Sequence, residues 1–98
     1  MIQVVVLLKI KDAQLFAEFE SKAIGILRNH GGELASAFTP NRELSSGNEF
    51  DEVHNLNFPD LDSFKAYRSD PELQKLSELR NAAITNTAIL VSDKSRSY

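Results

Sequence analysis

Glu52 and His54 are the sharpest candidates for chemistry in this chain. Two residues apart in a strand, they point to one face, on the side that also carries Phe50, Leu56 and Phe58. Turned toward helices, that face would hold a carboxylate and an imidazole in a mostly apolar enclosure. Desolvation there raises a carboxylate pKa, and a nearby carboxylate favours the imidazolium. Such a pair serves as general base and orienting group, or as two ligands of a metal. The structural alternative is a half-exposed pair at a strand end, or a hydrogen-bonded histidine that fills space. Too few further ligands accompany the pair for a metal site to be assigned.

Arg80 is the third candidate. It falls four residues after Leu76 and four before Ile84, along an apolar helix stripe. A buried guanidinium needs a partner, and Glu52, Asp51 or a ligand carboxylate would supply one. A salt bridge tying helix to sheet, or a snorkelling side chain, is the structural version. Tyr67, Arg68 and Phe50 complete the set as candidate ligand-binding residues. Tyr67 also reads as core lining with its hydroxyl at the edge. Arg68 and His30 also read as charges that suit helix C-termini. Asn55 and Asn57 face away from His54, where buried amides need a partner across an interface or a held water.

The elements that must position these residues follow from periodicity. Residues 2–10 are β-branched-rich and apolar on both alternating sets, which predicts a strand covered on both faces. Asp12 is placed to cap a helix over residues 15–30, whose stripe is Phe16, Phe19, Ala23, Ile26, Leu27 and His30, with Glu18, Glu20 and Lys22 mostly on the other face. Gly31-Gly32 ends it, with Gly31 suited to a left-handed position. A second strand over 34–38, a turn-rich connection over 39–48 and a third strand over 49–58 follow. Pro59 stops that strand. Asp60 caps a second helix with Leu61, Phe64 and Tyr67 inward, and Ser69 with Glu72 has the spacing of a capping box at a helical restart. A fourth strand spans residues 86–91.

This β-α-β-β-α-β order is the ferredoxin-like α+β plan, with strands one and three central. Residues 1–92 read as a single domain and 93–98 as a polar tail. Two helices cover only one face of such a sheet, so the doubly apolar first strand predicts a homodimer through the sheet. Its apolar centre is expected from Val5, Leu7, Ile89 and Val91, bordered by Asp51, Asn55 and Asn57.

At 98 residues the chain has room for one core, and a net charge of −3 with interspersed signs argues against a nucleic-acid or anionic-membrane surface. With no cysteine, disulfides, thiolate nucleophiles and iron–sulfur sites are excluded, which fits a cytoplasmic location. The first eight residues are too short to span a bilayer and carry no basic leader. Neither Gly-x-Gly-x-x-Gly, nor a Walker loop, nor His-Glu-x-x-His occurs, so no cofactor is expected.

Residues 51–60, Phe64, Tyr67-Arg68, Asp70-Pro71-Glu72-Leu73, Leu79-Arg80 and Ala83-Ile84, with His30-Gly31-Gly32, resemble the domain of unknown function 1330 family. The resemblance runs from Ile2 to about Ser92. It implies a ferredoxin-like protomer of the dimeric α/β-barrel superfamily, its sheet packed face to face with a second copy. Relatives there, antibiotic-biosynthesis monooxygenases and muconolactone isomerases, hold small organic ligands between sheet and helices, sometimes without a cofactor. The chain departs from the family at Asn57, where many members carry Glu, and at Leu73, where an aromatic residue is common.

Three functions stay open on this reading. The chain binds a small acidic or aromatic ligand in the cleft between sheet and helices. Alternatively it is a cofactor-independent monooxygenase or isomerase using His54, Glu52 and Arg80. The third reading is a non-catalytic accessory dimer in which the same residues form a satisfied network.

Overall fold

The β-branched start of the chain forms β1, Ile2–Ile10, inside an antiparallel sheet. The structure is a computed structural model and describes residues 1–47 and 49–98. The connection expected over 39–48 therefore ends at Asn48, outside the described residues. Asp12 caps α1, Ala13–Asn29, by accepting from the amides of Gln14 and Leu15. Gly31 follows with φ +74, a conformation that costs glycine little. Then come β2, Glu33–Phe38, and β3, Glu52–Phe58. Three short helices, α2 Leu61–Arg68, α3 Pro71–Gln74 and α4 Ser77–Ala83, lead into β4, Ile84–Val91.

The sheet order is β2-β3-β1-β4 with every neighbouring pair antiparallel, so β1 and β3 are central as expected. The barrel implied by the family resemblance is not what the chain forms. β2 and β4 lie at opposite edges and do not pair, so the sheet is open.

Three local expectations also change. β3 begins at Glu52, leaving Phe50 and Asp51 outside the ladder. Asp51 acts instead as a clamp: its Oδ2 accepts from the Ile10 amide at 2.7 Å and its own amide donates to the Leu8 carbonyl at 2.7 Å. Its Oδ1 takes the Arg42 guanidinium at 2.7 Å. The expected capping box is absent, because Asp70 rather than Ser69 caps α3. Leu61, placed inward by its spacing, is exposed.

Cross-strand partners share a face, so the register assigns the sides. Val4, Val6 and Leu8 pair with Leu56, His54 and Glu52 on one flank and with Val91, Ile89 and Thr87 on the other. Val4 and Leu8 are buried among helix side chains, so this whole row faces the helices. Ile89 and Val91 therefore belong to the helical side, contrary to the expected interface. The open side carries Val5 and Leu7 with Leu90 and Ala88. Residues 88–91 are apolar throughout, so only pairing reveals which set faces where.

The core falls into two clusters. Leu8, Phe16, Phe19, Ala23, Ala83 and Ile84 form one, and Val4, Leu27, Phe58 and Phe64 the other. Among the described residues no helix is long and apolar enough to cross a membrane.

Candidate functional site

Between the two clusters lies a cavity of about 470 Å³, within the roughly 300–1,000 Å³ range of small-molecule sites. Val4, Val6, Leu8, Leu56 and Ile89 from the sheet give it an apolar floor. His54, Glu20, Tyr67, Arg68, Arg80 and Asn81 supply polar groups around it. Four of the residues singled out in the sequence, His54, Tyr67, Arg68 and Arg80, thus meet in one place. Glu52 and Phe50 do not line it.

His54 is buried at 6% exposure. Its Nδ1 stands 3.6 Å from Glu20 Oε2 and its Nε2 stands 3.4 Å from Glu52 Oε1, yet among the described residues Nε2 has no hydrogen-bond partner. The carboxylate that burial perturbs is Glu20, which α1 delivers from across the cavity. Burial raises its pKa above the ordinary 4.5, Glu52 adds to the rise, and His54 opposes it. Sequence reasoning put Glu20 on the solvent side. Its spacing held the signal: four residues after Phe16 and four before Ile24, it flanks the buried stripe as Arg80 does. The two carboxylates approach opposite ring nitrogens, so the three groups do not converge on one ion. Among the described residues no group of three or more potential ligands is gathered for a metal.

Arg80, on α4, does not form the expected salt bridge. Its Nη2 donates to Thr87 Oγ1 on β4 at 2.8 Å, and among the described residues no carboxylate comes within ion-pair distance of it. A half-buried guanidinium therefore keeps most of its five donors unspent. Tyr67 packs its ring on Phe58 at 5.6 Å. Burial first, and then the nearby Glu20 charge, push its hydroxyl up to about 12, while Arg80 acts the other way. The phenol is thus a neutral donor at any physiological pH. Arg68 lies over the Phe64 ring at 5.7 Å, a cation–π contact at the cavity rim.

His30, read as a charge suited to a helix end, and Asn55, read as an amide needing a partner across an interface or a held water, both find partners within the chain. His30 Nε2 meets Asp70 Oδ2 at 2.7 Å, joining the end of α1 to the cap of α3. That hydrogen bond, followed by the one from the Glu72 amide, holds the Asp70 carboxyl below its usual range. Asn55 Nδ2 donates to Ser36 Oγ at 2.9 Å within its own sheet.

A family model described as a domain of unknown function, DUF1330, matches residues 3–93. The chain belongs to the DUF1330 family. No curated protein matches it. Among solved structures, a protein of unknown function from Rhodopseudomonas palustris superposes with TM-score 0.83 at 15% identity, covering 98% of this chain and 83% of that one. A dabb family protein with a ferredoxin-like fold from Mesorhizobium loti gives TM-score 0.73 at 15% identity over 97% of both chains. An antibiotic biosynthesis monooxygenase gives 0.68 at 16% identity, covering 98% of this chain and all of that one, 100%. At such identities the likeness establishes the fold of this DUF1330 chain and leaves its chemistry to its own residues.

Proposed function

We propose that the chain binds a small, largely apolar organic acid in the cavity between sheet and helices, with the acid group on Arg80. The carrying observation is a half-buried guanidinium, held by one neutral hydroxyl, beside a mainly apolar space of about 470 Å³. Tyr67 supplies a neutral donor, Arg68 a second cation at the rim, and the floor accepts an aromatic or aliphatic body. Of the residues that the sequence nominated, this reading uses His54, Arg80, Tyr67 and Arg68, which line the cavity, and reaches Glu52 only through His54, while Phe50 has no part in it.

The test compares phenylacetate with phenylacetamide, which share shape but not charge. Phenylacetate is expected to raise the melting temperature and the amide to leave it nearly unchanged. Arg80→Ala should lose about 1.5–3 kcal/mol of phenylacetate binding, the worth of a charged hydrogen bond. That corresponds to roughly ten- to hundredfold in affinity. Equal response to acid and amide, or an undiminished Arg80→Ala response, removes the assignment.

We also infer that two copies associate through their open sheet faces. Among the described residues no helix covers Val5, Leu7, Ala88 and Leu90 there, and Leu90 is 61% exposed. Light scattering should give twice the 11.0 kDa protomer mass, and Leu90→Glu should shift it toward the monomer. A monomeric wild type at micromolar concentration contradicts this.

A further inference from the structure

Glu20, His54 and Glu52 stand in line through the wall of the cavity. Glu20 lines the space, with 22% of its side chain exposed. Glu52 does not line it, yet 29% of its side chain is exposed, so that exposure lies outside the cavity at the start of β3. His54 fills the gap between them, its two ring nitrogens turned to the two carboxylates. A histidine kept only to fill space normally satisfies both nitrogens. Here Nε2 is buried and finds no hydrogen-bond partner among the described residues. Imidazole is the side chain that can accept a proton on one nitrogen and release one from the other.

We propose that these three residues form a proton path from the cavity to solvent, with Glu20 as the group that takes a proton from the bound ligand. The inference rests on the binding reading above and names the reaction class of that site: proton transfer at a carbon next to a carbonyl. Glu20 Oε takes the proton, and the electron pair of the broken C–H bond moves into the ligand as an enolate. Arg80 and the neutral Tyr67 hydroxyl are the donors available to that oxygen. The proton passes from Glu20 to His54 Nδ1 as another leaves Nε2 for Glu52 and then water. Return of a proton to the ligand restores the charge balance, so the cycle consumes no oxidant, reductant or cofactor and yields tautomerisation or isotope exchange.

The charged and titratable groups coupled to Glu20 are His54 and Glu52 from β3 and Tyr67 from α2, and Tyr67 in turn feels Arg80 from α4. Burial and Glu52 make Glu20 a stronger base than an ordinary carboxylate, and His54 limits the effect. A buried carboxylate with a raised pKa favours the folded state below its unfolded value, and that benefit is lost as pH rises through the folded value. Retaining it therefore works against stability near neutral pH.

Phenylpyruvate tests the path, because it is an apolar acid with exchangeable protons beside a carbonyl. In deuterated buffer, proton NMR follows loss of its methylene signal, while melting temperature reports binding. The wild type should be stabilised and should speed exchange over buffer. Glu20→Gln should keep the stabilisation and lose exchange by roughly a hundredfold or more, the range of general acid–base catalysis. Without ligand, Glu20→Gln should melt no lower than wild type near neutral pH, which excludes misfolding as the cause. The rate should rise with pH as Glu20 ionises. Glu52→Gln should move that midpoint down and His54→Gln should move it up, as their charges dictate; His54→Gln should also slow exchange at every pH, because glutamine cannot relay a proton, and wild-type exchange in His54→Gln removes the relay. Stabilisation without accelerated exchange, or wild-type exchange in Glu20→Gln, overturns the path and leaves binding intact. No stabilisation by phenylpyruvate counts against the binding reading itself, and the path falls with it.

Discussion

Phe58→Ala is expected to destabilise the protein by about 3–5 kcal/mol, the usual range for a buried aromatic side chain. Phe58 is 1% exposed at the end of β3 and is one of the two largest fully buried side chains. Its ring meets Phe64 at 5.3 Å in an edge-on contact and Tyr67 at 5.6 Å. Val4 and Leu27 complete its cluster, so truncation empties the junction of β1, β3, α1 and α2. Domains of this size have total stabilities of about 5–15 kcal/mol, so roughly a fifth or more of the margin is at stake. Urea unfolding should show a large fall in midpoint at unchanged slope. A loss below about 1 kcal/mol would mean that the cluster refills the space. Because Tyr67 leans on this ring, the variant should also weaken ligand binding.

Gly32→Ala is expected to cost about 1–3 kcal/mol for the opposite reason, overpacking. A Cβ at Gly32 would sit 2.6 Å from Leu27 Cδ1, 2.8 Å from Leu27 Cγ and 2.9 Å from Phe58 Cε1. Leu27 and Phe58 are both buried, so neither can swing into solvent. Glycine is needed here for close approach of the backbone to the core. Gly25 serves as the control, since a Cβ there meets nothing within 4 Å and helix propensity favours alanine. Combined with Phe58→Ala, the Gly32→Ala cost should shrink, because the first change removes one of the atoms in collision. Strict additivity would show that the clash with Leu27 alone sets the penalty.

The order of elements was legible because each carries its own punctuation: Asp12, Gly31, Pro59 and Asp60 all act where their chemistry predicts. The limits of β3 were not, since the alternation of Phe50, Glu52 and His54 continues past the point where Asp51 stops the ladder with its side chain. The sides of β4 were hidden by a run apolar at every position. The β1–β4 register also shifts between Lys9 and Ile10, which no local pattern announces. The closed barrel came from the resemblance rather than from the residues, and the open four-stranded sheet corrects it. Of the candidates named by spacing and chemistry, His54, Tyr67, Arg68 and Arg80 line one cavity and Glu52 and Phe50 do not. Glu20 was missed because a charged residue beside an apolar stripe was read as solvent-facing, although the same rule had drawn Arg80 inward.

The cavity brings the half-buried Arg80 guanidinium to the same apolar space as Glu20, whose pKa burial raises. The most direct measurement is a crystal structure of the protein grown with phenylacetate. The expected result is the aromatic body against Val6, Leu56 and Ile89, with its carboxylate on the Arg80 guanidinium. A cavity closed by side-chain movement, with Arg80 paired to Glu20 or Glu52 and no ligand inside, would contradict the account.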